Sequence, residues 1–275
     1  MTESIATTQE QQAPEEVYTP FIESDANAGA DQLRAIMDEQ GYLFFRALVP
    51  ADEVLEVRRE ALELCREAGW LDQSRDLMDG VVAAGVPPTS EGQPEYMAMY
   101  RKLLKLPRFH DFPCQPALME IARQLLGGEV LVHPRRIGRV TFPNNTIATT
   151  PPHQDHFYIR GTVDTYSCWI PLGTCPMSLG GLAVWPGSHR RGFIEHTESH
   201  PGAVGGRGVP VEESQAEWHT SDFGIGDTLF FHSFMIHKAL PNLSGDRLRV
   251  STDNRYQRKG DDIDPGALRP HFDLS

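Results

Sequence analysis

The sequence predicts an α+β fold in which a double-stranded β-helix, or jelly roll, forms the core and N-terminal helices pack outside it. Apolar residues recur at helical spacing up to residue 128, whereas short strand-like runs follow from Glu129 onward. Clusters of Pro, Gly, Asn and Ser separate these runs and predict turns between the strands. Helices followed by many short strands are typical of an antiparallel sheet with helices segregated to one side.

Four helices and one strand are predicted in the first half of the chain. Apolar residues recur at intervals of three and four in each helix. The second helix begins at Pro50 and ends before Gly69, because proline favours the first turn and glycine the position after the last turn. The predicted helices cover residues 29–40, 50–68, 95–105 and 116–126, and the predicted strand covers residues 41–45.

Six strands are predicted in the second half. Each is a short run rich in β-branched, aromatic and other apolar residues. Turn sequences such as Pro186-Gly187-Ser188 stand between the runs, which favours antiparallel pairing. The predicted strands cover residues 130–133, 137–142, 165–170, 182–185, 228–231 and 248–253.

The chain is predicted to be one domain preceded by a flexible tail. Residues 1–18 are polar and rich in Gln, Glu and Thr, a composition typical of disorder. The domain covers residues 19–275, with a mainly helical layer at 19–128 and the jelly-roll core at 129–275. Residues 71–115 either form a lid over the mouth of the barrel or pack within the helical layer.

Charge is distributed unevenly along the chain. The formal net charge is -13, and residues 1–40 account for -8 of it, with nine acidic side chains and one basic. This balance disfavours nucleic-acid binding, because such binding requires basic surface. Local arginine clusters are either solvated surface or contacts for an anionic substrate. They lie at Arg135, Arg136 and Arg139, and at Arg190-Arg191.

The cysteine spacing predicts reduced thiols and a cytoplasmic protein. Neither a CxxC pair nor a disulfide-framework spacing occurs among Cys65, Cys114, Cys168 and Cys175. No run of about 18 apolar residues is present, so no membrane span is expected. The N-terminus lacks a basic segment followed by an apolar one, so no secretory signal is expected.

Three residues form a candidate metal site that is split along the chain. His153 and Asp155 are two positions apart, and because alternate residues of a strand point to one face, both can reach one metal ion. The third ligand must come from a strand adjacent in space, and His232 and His237 both qualify. These two are five positions apart and face opposite sides of a regular strand, so one of them is expected to bind. His237, nearer the following turn, is favoured.

Two imidazoles and one carboxylate are the protein ligand set typical of a non-haem Fe(II) oxygenase. The set leaves other iron positions open for a co-substrate and O2. Arg247 and Arg249 follow His237 in the chain, and a buried arginine there would hold a dicarboxylate by a bidentate, charge-assisted pair. The ligand set also fits a zinc hydrolase that activates water, or a jelly-roll binding protein without turnover.

Further motifs surround these ligands in a consistent order. They are His153-Gln154-Asp155, Cys168-Trp169-Ile170-Pro171-Leu172, Pro186-Gly187-Ser188-His189, Gly226-Asp227, His237, Pro241-Asn242-x-Ser244 and Arg249 through Arg255-Tyr256. The run from Pro152 to Tyr256 therefore resembles the phytanoyl-CoA dioxygenase family of Fe(II)/2-oxoglutarate-dependent oxygenases. The resemblance implies a cupin-like jelly roll.

The resemblance also implies roles for individual residues. The implied iron ligands are His153, Asp155 and His237. Arg249 matches the anchor of 2-oxoglutarate better than Arg247, because it lies six residues before the Arg255-Tyr256 pair. Trp169 matches a position that packs beside the co-substrate. The implied reaction uses Fe(II), 2-oxoglutarate and O2 to hydroxylate an unactivated C–H bond of a small organic substrate, such as a secondary metabolite, with release of succinate and CO2.

The chain departs from the family pattern at two places. Ala239 replaces a serine that often touches the co-substrate, so that hydrogen bond is either missing or supplied elsewhere. Gly180-Gly181 replaces a common Asn-Gly, which is expected to affect only a turn. Asp155 is retained, whereas related halogenases have a small residue there, so hydroxylation is favoured over halogenation. His133 and Arg139 share a strand parity that would let both face the cavity.

Overall fold

The computed structural model of the protein describes residues 17–145, 149–197, 207–211 and 216–272. The predicted tail at 1–18 therefore lies outside the described residues, apart from its last two. Tyr18 and Thr19 form a short strand that pairs in parallel with Trp218 and His219. The first strand thus includes Tyr18, the last residue of the segment predicted as tail.

The helical layer agrees with the sequence prediction. The four predicted helices are present with ends within two residues of the predicted ones, and two short helices at 107–111 and 156–159 were missed. None of the helices in the described part of the chain is long and apolar enough to cross a membrane. The helices are α1 (Ala30–Gln40), α2 (Ala51–Glu67), α3 (Pro94–Leu103), α4 (Pro107–Asp111), α5 (Pro116–Leu126) and α6 (His156–Ile159).

Strands in the described residues form two sheets. They are β1 (Tyr18–Thr19), β2 (Tyr42–Phe45), β3 (Val130–Val132), β4 (Ile137–Thr141), β5 (Thr165–Pro171), β6 (Leu182–Val184), β7 (Trp218–His219), β8 (Thr228–His232), β9 (His237–Ala239) and β10 (Arg249–Arg258). The larger sheet has the order β2-β8-β5-β10-β3, with β4 also paired to β10, and the smaller has the order β1-β7-β6-β9. All seven predicted strands are present, and β1, β7 and β9 are additional.

Alternating side chains of the larger sheet serve two separate cores. On β2, Tyr42 and Phe44 pack between the two sheets with residues of β6, whereas Leu43 and Phe45 pack under the helices. This alternation follows from the two-residue period of a strand, and both faces are apolar because both are covered. The predicted α+β jelly roll with helices outside is therefore confirmed.

Helix α3 is fastened to the larger sheet through two phenols. The hydroxyl oxygen of Tyr96 accepts from the backbone N–H of Val140 at 3.1 Å, and that of Tyr100 accepts from Gly138 at 3.2 Å. Both tyrosines are buried. This part of the segment 71–115 thus packs within the helical layer. Residues 89–91 of the same segment line cavities beside the candidate active site described below, and for them a role as a lid stays a prediction.

Candidate active site

Two imidazoles are brought together by a backbone bridge between distant parts of the chain. The N–H of His153 donates to the carbonyl of His237 at 2.9 Å, and the N–H of His237 donates to the carbonyl of His153 at 3.0 Å. Side chains directly opposite each other in an antiparallel pair share a face. The two ring centroids accordingly lie only 4.1 Å apart.

Hydrogen bonds to the backbone orient both rings. The Nδ1 atom of His153 lies 2.8 Å from the carbonyl oxygen of Pro151, and Nδ1 of His237 lies 3.0 Å from that of Met235. Since a carbonyl only accepts, each Nδ1 carries the proton and each Nε2 keeps its lone pair. Burial lowers the pKa of His153 to about 3 and also lowers the pKa of His237. Both imidazoles are therefore neutral near pH 7, which is the state that binds a metal.

Asp155 completes the cluster from a helical turn. Its φ of -60° and ψ of -32° place it at the start of α6, so the expectation that it continues the strand of His153 was wrong. Its Oδ1 lies 3.8 Å from Nε2 of His153 and 3.9 Å from Nε2 of His237. Ligand atoms of the three residues lie within 4.8 Å of one another. Two neutral imidazoles and one carboxylate in this arrangement suit Fe(II).

The carboxylate of Asp155 is held on its far side by two groups. Arg255 donates from Nη2 to Oδ2 at 2.9 Å and from Nε to Oδ2 at 3.2 Å, and the Ser167 hydroxyl also donates to Oδ2. Burial opposes ionisation, but Arg255 and the two imidazoles hold the pKa of Asp155 well below its usual range. Nη2 of Arg255 also donates to Oδ1 at 3.1 Å. Together these contacts fix the orientation of the carboxylate, as outer partners of metal ligands commonly do.

His232, the competing third ligand, lies elsewhere. It ends β8 in the larger sheet, and its Nδ1 accepts from the backbone N–H of Phe234 at 3.0 Å. It does not belong to the cluster of three ligand atoms found in the described residues. The turn between β8 and β9 separates His232 from His237, so the two are not on one strand as the parity argument assumed.

Gln154, between the two ligands, points away from the cluster and fastens the surrounding loops. Its Nε2 donates to the carbonyls of Gly192 at 2.8 Å and Phe234 at 2.7 Å, and its Oε1 accepts from Ile194 at 2.8 Å. The side chain is fully buried. It therefore ties the chain between the ligands to two segments that approach from other parts of the fold.

Arg249 is a buried cation that forms no ion pair within the described residues. Its guanidinium donates from Nη2 to the Thr141 hydroxyl at 2.9 Å and from Nη1 to the carbonyl of Gly180, while its buried Nε has no partner. No carboxylate in the described ranges lies within the 4.0 Å limit of an ion pair with it. Burial lowers its pKa. A buried unpaired charge is unfavourable, so this site is suited to an anionic ligand.

Arg247 and Trp169, the other two residues predicted to contact the co-substrate, lie in different surroundings. Arg247 has a side chain 56% exposed, and its Nε lies 3.9 Å from Oδ1 of Asp246. Trp169 is buried on β5, with its ring 4.8 Å from that of Phe223 and 5.9 Å from Cζ of Arg249. Trp169 lines neither of the two cavities described next. The structure therefore places Trp169 beside Arg249 and leaves Arg247 at the surface.

Two adjoining cavities connect Arg249 with the metal-ligand cluster. The smaller, of about 30 Å³, is lined by Arg249 and Ala239, and the larger, of about 100 Å³, is lined by His153 and Asp155. Three residues line both cavities, namely Glu91, Arg139 and Thr150. His133 also lines the larger cavity, so the expectation that His133 and Arg139 face the cavity is confirmed.

Sequence reasoning missed two contributors to this site, Arg255 and Glu91. Arg255 was recognised only as part of a motif, although it is six positions from Arg249 and so lies on the same face of β10. That parity was the signal that could have found it. Glu91 lies in a loop before α3, and its Oε2 is 3.1 Å from Nη1 of Arg139. No local pattern distinguishes Glu91 from other surface glutamates.

Two threonine hydroxyl groups lie near Ala239, which replaces the serine that is frequent in the family. Ala239 lines the Arg249 cavity, and so do Thr141 and Thr150. The backbone N–H of Ala239 donates to the carbonyl of Thr150 at 3.1 Å, which places this threonine on the adjoining segment. A threonine hydroxyl can both donate and accept. We therefore expect Thr141 or Thr150 to supply the hydrogen bond that the family serine usually makes.

Gly180 lies in a turn that supports the site, and the limited effect expected of the Gly180-Gly181 change stays a prediction. Its carbonyl accepts from Arg249, and its φ is +79°. A Cβ at this position would lie 2.5 Å from the carbonyl oxygen of Leu240 and 2.6 Å from that of Pro241. Both contacts are with backbone atoms. Only glycine therefore fits here without moving the chain that precedes β10.

A pair of glycine variants tests this packing. Gly245 has a similar φ of +87°, but a Cβ there meets nothing within 4 Å. We expect Gly245→Ala to lower the free energy of unfolding by about 1–2 kcal/mol, the usual penalty for a left-handed residue other than glycine. Gly180→Ala should lower it by more than about 3 kcal/mol, because the clash adds to that penalty. Urea denaturation measures both, and equal losses would contradict the close packing.

Comparison with known proteins places this chain among oxygenases. A family model described as Phytanoyl-CoA dioxygenase (PhyH) matches residues 37–250. The 1-deoxypentalenic acid 11-beta-hydroxylase of Streptomyces exfoliatus is 29% identical over 252 residues, which cover 87% of this chain and 85% of that protein. The matched region of the family model includes all three metal-ligand candidates and Arg249.

Solved structures share the fold. The epimerase SnoN, crystallised with Fe3+, alpha ketoglutarate (2-oxoglutarate) and nogalamycin RO, superposes with a TM-score of 0.61 at 19% identity, covering 83% of each chain. The alpha ketoglutarate-dependent carbocyclase SnoK superposes with a TM-score of 0.60 at 20% identity, covering 86% of this chain and 87% of that one. At such identities the likeness concerns the fold, which is the one described above.

Proposed function

The chain belongs to the phytanoyl-CoA dioxygenase family, and from this premise we propose that it hydroxylates an unactivated C–H bond of a small secondary metabolite. It is an Fe(II)- and 2-oxoglutarate-dependent dioxygenase, which consumes 2-oxoglutarate and O2 and releases succinate and CO2. Hydroxylation is proposed because the curated relative named above is a hydroxylase and because Asp155 is retained.

One observation supports the residue assignment most strongly. Arg249 is buried and forms no ion pair within the described residues, and its cavity adjoins the larger cavity that His153 and Asp155 line. We assign Fe(II) to these three ligands and the distal carboxylate of 2-oxoglutarate to Arg249. A planar guanidinium with free N–H groups suits a carboxylate, because it can donate two parallel hydrogen bonds.

The residues around the site position ligands and exclude water, while bound Fe(II) supplies the chemistry that activates O2 for C–H hydroxylation. His153 and His237 present neutral Nε2 atoms, because their Nδ1 protons are engaged by backbone carbonyls. Arg255 orients Asp155 from the opposite side. All three ligands are at least nine-tenths buried, so the reacting region is shielded from bulk solvent.

The family match decides between the functions that the sequence left open. A hydrolase using the same three ligands would have no need for Arg249, and a binding protein without turnover would need neither Arg249 nor the metal ligands. The phytanoyl-CoA dioxygenase model covers the ligands and the arginine together. The oxygenase function is therefore preferred to the hydrolase and to the binding protein without turnover.

The proposed substrate is small and partly apolar. The cavity beside the ligands measures about 100 Å³ and is lined in part by Ile137, Tyr158 and Ile159. The Streptomyces relative is named for its action on 1-deoxypentalenic acid, and a compound of that kind, a compact carbon skeleton, is what we propose here. The net charge of -13 argues against a large polyanion such as a coenzyme A thioester.

We also propose a cytoplasmic location and no nucleic-acid partner. The four cysteines are free thiols, a state that a reducing compartment maintains. The acidic balance of the chain would repel a nucleic-acid backbone. A small-molecule substrate is in keeping with the hydroxylase relatives.

The proposed function is tested by an anaerobic visible spectrum of the purified protein titrated with Fe(II) and then with 2-oxoglutarate. We expect a metal-to-ligand charge-transfer band in the wild type, because 2-oxoglutarate would chelate the bound iron. His237→Ala should abolish the band. His232→Ala is the matched control, since His232 is also a β-strand histidine and the competing candidate for the third ligand but lies outside the ligand cluster, and it should keep the band.

The outcomes separate the alternatives. Loss of the band in His232→Ala but not in His237→Ala would mean that the third ligand is misassigned. Bound metal without any band in the wild type would favour the hydrolase, and absence of metal binding would favour the binding protein. With the band established, release of succinate in the presence of candidate substrates identifies the one that is hydroxylated.

A further inference from the structure

The larger cavity contains more positive than negative side chains. Three arginines line it, Arg135, Arg139 and Arg255, together with two carboxylates, Glu91 and Asp155. Arg139 pairs with Glu91 at 3.1 Å and with Asp253 at 3.2 Å, and Arg255 pairs with Asp155 at 2.9 Å. Each of these carboxylates thus has an arginine partner. Among the described residues, Arg135 has no carboxylate within ion-pair distance.

Arg135 is held by its backbone rather than by its side chain. It lies between β3 and β4, and its N–H donates to the carbonyl of Ala267 at 3.3 Å. Within the described ranges, no carboxylate reaches the 4.0 Å limit of an ion pair with its guanidinium. The nearby Asp264 uses Oδ1 to accept from Gly266 at 2.7 Å. Burial, and then repulsion by Arg255, lower the pKa of Arg135.

The remaining titratable groups of the wall do not offset this charge. Burial lowers the pKa of His133 to about 4 and that of His271 to about 2, so both are neutral near pH 7. Fe(II) and Arg249 would add three positive charges, and the two carboxylates of 2-oxoglutarate together with Asp253, the second partner of Arg139, would add three negative charges. The assembled site therefore keeps one unmatched positive charge, which a substrate with one negative charge would neutralise.

A second donor lies at the same cavity. Arg255 uses Nη2 and Nε to hold Asp155, and its Nη1 is buried with no hydrogen-bond partner in the described structure. An unsatisfied buried donor is unfavourable unless a ligand accepts from it. An anion in contact with both Arg135 and Arg255 would also relieve the repulsion between the two guanidinium groups.

The rest of the cavity wall is suited to hydrocarbon. Ile137, Ile159 and the ring of Tyr158 line it beside the ligand cluster. A substrate that matches the cavity therefore has a charged end and an apolar body. A phosphate ester is a poorer match, because it carries between one and two negative charges near pH 7.

We propose that Arg135, assisted by Nη1 of Arg255, forms an anion subsite and that the substrate is a monocarboxylic acid with a hydrocarbon skeleton. This inference rests on the proposed function and makes it more specific. The carboxylate binds at Arg135, and the hydrocarbon lies against Ile137 and Ile159, where a C–H bond can face the metal site. Arg135 thereby determines substrate specificity without taking part in the reaction.

The test compares two probes of equal shape on the anaerobic complex with Fe(II) and saturating 2-oxoglutarate. Cyclohexanecarboxylate carries the charge, and cyclohexanecarboxamide is its neutral counterpart. We expect the carboxylate to bind at least about 10-fold more tightly, as a charge-assisted hydrogen bond allows. Calorimetry gives both Kd values, and saturating 2-oxoglutarate prevents the carboxylate from occupying the Arg249 site.

Variants at Arg135 test whether this residue causes the tighter binding of the carboxylate probe. Arg135→Gln should remove the preference for the carboxylate and leave the charge-transfer band of the Fe(II)–2-oxoglutarate complex unchanged, which also confirms folding. Arg135→Lys keeps the charge and should keep most of the preference. Arg269→Gln is the control, because Arg269 is an exposed arginine close in sequence to the Ala267 carbonyl that Arg135 contacts. It should bind both probes as the wild type does.

Failure of this inference is distinguishable from failure of the proposed function. If the band forms but the wild type binds both probes equally, or does not bind the carboxylate, the anion subsite is wrong and the oxygenase assignment stands. A preference that survives in Arg135→Gln also overturns the role of Arg135. If no band forms in the wild type, the proposed function is wrong, and the subsite inference that rests on it is wrong as well.

Discussion

Replacing Asp155 with alanine is expected to lower the rate of succinate formation by more than about 100-fold, because loss of an outer partner of a metal ligand alone costs about 10- to 100-fold. Asp155 is the only carboxylate in the ligand cluster of the described residues. Without it, two neutral imidazoles would bind Fe(II) weakly. Succinate formed from 2-oxoglutarate and the iron retained after desalting are the two measurements.

The loss of activity must be distinguished from a loss of folding. Asp155→Ala leaves Arg255 as a buried cation without its partner, which typically costs about 3–5 kcal/mol. The double variant Asp155→Ala/Arg255→Leu removes that unpaired charge and should recover most of the stability while staying inactive. Succinate formation at the wild-type rate in either variant would show that Asp155 is not a ligand.

Arg249→Ala is expected to raise the KM for 2-oxoglutarate by about 10- to 150-fold, since hydrogen bonds to charged groups contribute about 1.5–3 kcal/mol. The effect should fall mainly on KM, because Arg249 is proposed to bind the distal carboxylate, which does not react. Arg249→Lys should restore only part of the affinity, because an ammonium cannot donate the two parallel hydrogen bonds of a guanidinium. Initial rates at varied 2-oxoglutarate give the values.

Arg247→Ala is the matched control for this prediction. Arg247 is two residues away and carries the same charge, but its side chain is 56% exposed. We expect its KM for 2-oxoglutarate to stay within about twofold of the wild type, since exposed charges contribute little. If Arg247→Ala raises the KM for 2-oxoglutarate and Arg249→Ala does not, Arg247 is the residue that binds the distal carboxylate.

The helical layer and most strands were predictable because apolar periodicity is a local property of the chain. Helices α1, α2, α3 and α5 each extend over ten residues or more, so their period is visible in the sequence. Strands β1, β7 and β9 have only two or three residues, and they exist because a distant segment pairs with them. Strands β3 and β6 are equally short, but they are wholly apolar and so were recognised, whereas β1, β7 and β9 include polar residues.

Some residues of the site could be predicted from the sequence more fully than others. The pair His153 and Asp155 is visible as a short motif, but its geometry was misjudged, because Asp155 starts a helical turn that the two-residue spacing does not reveal. The choice of His237 over His232 depended on a turn between two strands. Spacing alone allowed both, since it assumed a continuous strand.

By itself, the sequence determined the fold class, the three metal-ligand candidates and the class of chemistry, because these depend on local period and on which donor types are present. Only the tertiary structure decided that Arg249 is buried while Arg247 is exposed, that Arg255 holds Asp155, and that Arg135 forms no ion pair within the described residues. Burial and charge pairing depend on segments that are distant in the chain. The electrostatics of the site therefore emerge only when the two sheets and the loop containing Glu91 come together around it.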